Sequence, residues 1–98
     1  MRSWLRRTPR TLFTRVGRRG VVLSGRSRTP YVLNETAAFV FAHLEEARSL
    51  DDVVERVRGR FAGRRPAIAR DTIALVLDLE RRGLVARSRP RGARGPRR

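Results

Sequence analysis

The chain changes character at Asn34. Before it, short β-branched runs are broken by glycine turns; after it, apolar residues recur at helical spacing. Thr11–Val16 (Thr-Leu-Phe-Thr-Arg-Val) and residues 20–24 (Gly-Val-Val-Leu-Ser) are joined by a Gly-Arg-Arg-Gly turn, which predicts a hairpin. A second turn, residues 25–28, leads to Thr-Pro-Tyr-Val-Leu at 29–33. This is the expected third strand, and Pro30 argues that it lies at a sheet edge. Asn34 has the chemistry of a helix N-cap, with Glu35 well placed near the positive end of the helix dipole.

Residues 36–47 carry Phe39, Val40, Phe41 and Leu44 on most sides, as a largely buried helix would. Ser49-Leu-Asp-Asp52 is a capping box for a second helix. Its face is formed by Leu50, Val53, Val54, Val57 and Phe61, and Gly63 is a fitting stop. A third helix is expected from near Pro66 to just before Gly83, with Leu84 and Val85 folding back. Strands first and then helices imply an α+β fold: a small winged-helix-like domain with a three-stranded antiparallel sheet followed by three helices.

At 98 residues and 40% hydrophobic content, one compact domain with one modest core is expected. There is no cysteine, which excludes disulfides, thiolate metal sites and thiol nucleophiles. No apolar run approaches the roughly 18 residues of a membrane helix, and the basic start is not followed by the apolar stretch of a signal peptide. The same gap makes Arg6-Arg7 a poor twin-arginine signal, so a cytoplasmic location is expected. Net charge is +15, all 24 basic residues being arginine. Residues 1–19 hold seven arginines and residues 86–98 hold six, with no acid in either segment. The middle, 20–85, sets eleven arginines against nine acids. Three segments follow: a basic, flexible N-terminus at 1–9, in which Trp4 and Leu5 are the residues able to dock, an ordered domain at 10–86, and a disordered arginine-rich tail at 87–98.

The third helix carries more apolar surface than it needs. At 100° per residue, Ile68, Thr72, Leu75, Val76 and Leu79 form one stripe that seats the helix on the core. Ile73 and Leu77 lie outside it, near Ala69, Arg70, Ala74 and Arg81. Two readings stay open: these residues cover the sheet or the first helix, or they line an arginine-rimmed groove for a partner. An edge strand beside such a groove can accept an extended peptide as an added strand.

Three motifs then resemble a known family. Tyr31-Val-Leu-Asn-Glu-Thr-Ala-Ala38, followed by Phe39-Val-Phe41, is similar to the centre of PqqD-like proteins. Ser49-Leu-Asp-Asp-Val53 resembles the opening of their second helix, and residues 71–84 (Asp-Thr-Ile-Ala-Leu-Val-Leu-Asp-Leu-Glu-Arg-Arg-Gly-Leu) resemble their last helix. The similarity covers about residues 10–86. Thr72 stands where the family usually has an aliphatic residue, and Pro30 removes one N–H from the third strand. The resemblance implies a recognition element that binds the leader of a ribosomally made precursor peptide. The leader would add to the third strand, lie against the third helix, and be presented to a radical-SAM enzyme, a cyclase or a leader peptidase. Thr29, Pro30, Tyr31, Val32 and Leu33 would then form the strand side of the site, and Arg70, Ile73, Ala74, Leu77 and Arg81 its helix side.

Catalytic readings are thin. His43 is the only histidine and fits an ordinary, partly buried place on the first helix. Asp51, Asp52 and Glu55 suit capping and dipole roles, and Asp78 and Glu80 face solvent or pair with arginine. No enzyme activity and no cofactor or metal is expected. The alternative is a winged-helix nucleic-acid binder that uses its arginine-rich tails, with non-specific, salt-sensitive contact to phosphates. Against it, the third helix offers aliphatic residues where polar base-reading ones are needed.

Overall fold

A computed structural model describes residues 4–25 and 27–88. The chain folds as β1 (Trp4–Arg7), β2 (Thr11–Val16), β3 (Arg19–Ser24), β4 (Ser27–Leu33), α1 (Glu35–His43), β5 (Arg48–Ser49), α2 (Leu50–Arg60), α3 (Arg65–Arg81) and β6 (Val85–Ser88). The expected α+β fold is present: a three-stranded antiparallel sheet in the order β2-β3-β4, followed by three helices. The strand pairing Leu12↔Leu23, Thr14↔Val21 and Val16↔Arg19 makes the predicted hairpin, and β4 joins it through Val21↔Val32 and Gly20↔Leu33. The glycine at position 20 has a packing cause. A Cβ there would come within 2.6 Å of the Phe13 ring, which lies over it and meets Phe41 edge-on at 5.2 Å.

The predicted caps form. Asn34 accepts from the Ala37 N–H at 2.8 Å, and Ser49 accepts from the Asp52 N–H at 3.1 Å. Helix α1 is shorter than its apolar pattern suggested, ending at His43 with Leu44 as cap. Its turned-back end carries Leu44 into the core, which explains an apolar residue beyond the last helical one. The core joins Val22 and Leu33 of the sheet to Val40 and Phe41 of α1, Val53 and Val57 of α2, and Val76 and Leu79 of α3. Leu84 and Val85 fold back as expected and are buried.

A second sheet, β5-β1-β6, was not anticipated. The N-terminal segment, expected to be loose through residue 9, contributes β1. That strand pairs Trp4↔Ser49 and Leu5↔Arg48 on one side, and Trp4↔Ser88 through Arg7↔Val85 on the other. The cause is Leu5, which is fully buried and so repays the ordering of an otherwise basic segment. The ordered domain accordingly extends at both ends beyond residues 10–86. At the C-terminus, β6 takes in Arg87 and Ser88, and Arg87 pairs with Glu80 at 3.0 Å. The remainder of the predicted disordered tail, 89–98, lies outside the described residues, as do residues 1–3.

Candidate functional site

Among the described residues, strand β4 has a neighbouring strand on one side only, in keeping with the edge position that Pro30 predicts. Its register against β3 shifts between Val22 and Ser24, so residues 28–30 sit opposite the single residue Leu23. Pro30 falls in this irregular stretch, where its missing N–H breaks no regular ladder position. Beyond it the strand alternates: Tyr31 and Leu33 turn toward the core, while Val32 turns outward and is 68% exposed.

Helix α3 runs beside this strand and leaves a groove of about 430 Å³ between them. Its strand wall is Thr29, Pro30, Tyr31, Val32 and Leu33, continued by Asn34 and Ala37 at the start of α1. Its helix wall is Leu75, Asp78, Leu79 and Arg82, spaced i, i+3, i+4, i+7 and therefore on one face. Two of these side chains are tied down. Arg82 donates from Nε to Asp78 at 2.9 Å, and its guanidinium lies 5.7 Å from the centre of the Tyr31 ring. The Asp78 carboxylate raises the Arg82 pKa above its ordinary value, through the hydrogen bond first and its charge second. The result is a channel of mixed character, in which leucine, valine, tyrosine and proline alternate with Thr29, Asn34 and one ion pair on the rim. A channel bounded along one side by an edge strand suits an extended peptide segment, whose backbone can pair with the strand while its side chains meet both apolar and polar partners.

The structure brings together half of the residues predicted for a site. Thr29, Pro30, Tyr31, Val32 and Leu33 all line the groove. Arg70, Ile73, Ala74, Leu77 and Arg81 are exposed on α3 but do not line it. The reason is angular. Leu75 and Leu77 are separated by about 200° around the helix axis, so they flank the core stripe on opposite sides. The flank that meets β4 is the one bearing Leu75, Asp78 and Arg82. Leu79 is a core residue, as its place in the stripe predicts, and Leu75 packs against the core while also reaching the groove; Asp78 and Arg82 are groove residues that the sequence reading did not single out. Their i, i+3, i+4, i+7 spacing was visible, but nothing local says which flank the strand approaches.

Among the described residues, no three His, Asp or Glu side chains gather as a metal site. His43 is held by its own helix, with Nδ1 2.9 Å from the Phe39 carbonyl and its ring 4.4 Å from that of Phe39. No helix among these residues is long and apolar enough to cross a membrane.

Comparison with known proteins gives three findings. The model of a family described as coenzyme PQQ synthesis protein D (PqqD) matches residues 19–85. A solved structure of a lasso peptide synthetase B1 complexed with the leader peptide is similar at 29% identity and a TM-score of 0.71, covering 84% of this chain and 96% of that one. A second, TbiB1 in complex with the TbiA(beta) leader peptide, superposes with a TM-score of 0.73 over 82% of this chain and 93% of that one. At 18% identity the second speaks for the fold alone. No curated protein matches the chain significantly.

Proposed function

Because the chain belongs to the PqqD family, whose model spans residues 19–85, we propose that it binds the leader peptide of a ribosomally synthesised precursor by strand addition and presents it to a modifying enzyme or leader peptidase. The observation that carries this reading is the groove itself: an edge strand facing a helix wall of two leucines and one Asp–Arg ion pair, with about 430 Å³ of open space between them. The likeness to a lasso peptide synthetase B1 complexed with its leader peptide supports the same reading.

In this mechanism the leader lies along β4 and pairs with its backbone, which contributes affinity with little sequence preference. Selectivity comes from the side chains between the walls. Tyr31, Ala37, Leu75 and Leu79 take apolar residues of the leader, and Arg82, half exposed at 51%, offers its remaining donors to an acidic one. That contact fixes register and speeds association more than it adds affinity. The exposed flank of Ile73 and Leu77 is reached only by leader residues that run past the groove. The chain supplies no chemistry of its own; it holds the substrate and leaves catalysis to the partner. The partner belongs to one of three classes, radical-SAM enzyme, cyclase or leader peptidase.

Calorimetric titration of the full chain with the leader of a candidate precursor peptide tests the site. Ordering a flexible leader costs several kcal/mol, so a dissociation constant of about 0.1–10 µM is expected. Leu75→Asp should weaken binding by roughly thirtyfold, the size of a buried interface anchor, and Arg82→Glu by about tenfold. The double variant Ile73→Asp with Leu77→Asp should stay within about threefold of wild type. Circular dichroism identifies any variant that has lost its fold. Full affinity in the Leu75→Asp and Arg82→Glu proteins would place the leader elsewhere.

A further inference from the structure

Helix α1 packs on one face of the β2-β3-β4 sheet, where Phe13, Val22 and Leu33 meet the core. The strand register puts Leu12 beside Leu23, Thr14 beside Val21 and Val32, and Val16 beside Arg19 on the opposite face. Five of these seven residues are aliphatic. Leu12 is 69% exposed, Val32 68%, Val16 60% and Leu23 43%. An antiparallel sheet with one wet face ordinarily shows polar residues there. This one shows a continuous aliphatic patch across three strands, and no described element covers it.

Charge identifies what can. Residues 1–34, which contain all four strands β1–β4, carry nine arginines and no acid, whereas all nine acids lie from Glu35 onward. A second copy of the chain docked through this same face would set arginine against arginine, and the arginine-rich tail would be repelled in the same way. Nucleic acid would use the arginines but has no use for leucine and valine at the centre. A lipid surface favours tryptophan and tyrosine anchors, and this face has neither. The complement is a protein surface with an apolar centre and an acidic rim.

We propose that the outer face of the β2-β3-β4 sheet, centred on Leu12, Val16, Leu23 and Val32, docks the enzyme that acts on the presented precursor, through an apolar patch rimmed by aspartate and glutamate. Only the identity of that partner rests on the recognition reading above. A leader strand added at β4 extends this same sheet and turns every second side chain onto its outer face. The docked enzyme therefore touches leader and carrier together, so leader and enzyme each tighten the other's binding by the same factor.

The test uses the full chain in cells that carry its own gene, with a photo-crosslinking residue placed at Val16 or, as control, at exposed Glu46. The crosslinked protein is then purified and titrated against wild type, against Leu12→Glu combined with Val16→Glu, and against Arg19→Glu. All three positions are exposed, so the fold should survive. The expected result is one protein adduct from position 16 and none from 46. Affinity for that protein should fall at least tenfold in the double variant and severalfold in Arg19→Glu, with leader affinity unchanged. No adduct, an adduct with the chain itself, with lipid or with nucleic acid, or undiminished binding by the variants would overturn the proposal. Loss of partner binding in a protein that never binds leader would instead overturn the recognition reading and leave the docking face standing.

Discussion

Arg7 sits where α1 ends, its Nε 2.8 Å from the Phe41 carbonyl and its Nη2 3.3 Å from that of Ala42. Its backbone N–H donates to the Leu44 carbonyl at 3.1 Å, and its guanidinium lies about as close to the Phe13 and Phe41 rings, at 5.1 and 4.9 Å. Arg48 adds a bond from Nε to the His43 carbonyl at 2.8 Å. Two arginines thus satisfy the open carbonyls at the negative end of the helix. Burial lowers the Arg7 pKa, opposed in part by the charge of Glu45, yet a guanidinium keeps its proton throughout the physiological range. Arg7→Ala should therefore cost about 1.5–3 kcal/mol in urea unfolding, the range for hydrogen bonds to a charged group. Arg6→Ala, exposed one residue earlier, should stay within about 0.5 kcal/mol. Asp52 gives a pH dependence. Its pKa is lowered first by the hydrogen bond from Arg56 at 2.9 Å, then, against desolvation, by the charge of Arg56 and by the hydrogen bond and charge of Arg48. A depressed folded-state value means that this stabilisation is complete above the unfolded carboxylate value of about 4 and is lost as pH falls through the folded one. Acid titration of the melting temperature should show a smaller drop for Asp52→Asn than for wild type below about pH 4.

Strand β1 is the element that a reading of local pattern was least able to find. Its four residues, Trp-Leu-Arg-Arg, are half basic, and its partners β5 and β6 are 43 or more positions away in sequence. Only the tertiary fold reveals that Leu5 fills the core between them. Leu5→Ala should lower stability by about 2–5 kcal/mol, as for other buried leucines, and thermal melting would register it. An unchanged melting temperature would mean that β1 is dispensable. The β2-β3 hairpin, the caps at Asn34 and Ser49, and the span of α3 were legible because each is marked by residues within a few positions. The strand wall of the groove was legible for the same reason, since Pro30 marks an edge. The helix wall was not, because both flanks of α3 carry aliphatic residues beside the core stripe. Which flank faces β4 depends on how α3 packs on α2 and β6, a long-range fact. The arginines show the same division: their number is plain in sequence, but nothing local tells a helix-capping Arg7 from an exposed Arg6.

Over the whole molecule, charge and apolar surface are distributed unevenly. The strands β1–β4 arise from a polypeptide stretch that is exclusively cationic in formal charge, and all nine acids follow it, seven in the helices and two, Glu45 and Glu46, in the loop after α1. The groove lies where these halves meet, between β4 and α3, and its lining mixes apolar residues with Thr29, Asn34 and the charge-balanced Asp78–Arg82 pair. Contacts with a phosphate backbone would draw on the arginine excess and weaken steeply with salt, whereas strand pairing in the groove depends on backbone hydrogen bonds and apolar burial. The two modes separate in one experiment. Fluorescence anisotropy of the full chain with its labelled leader peptide, and in parallel with a random DNA duplex, is measured at about 50 and 300 mM salt, a range over which phosphate-driven affinity collapses. Leader binding that persists at the higher salt while DNA binding disappears is the predicted result. DNA binding that survives the higher salt, with no affinity for the leader, would contradict the account.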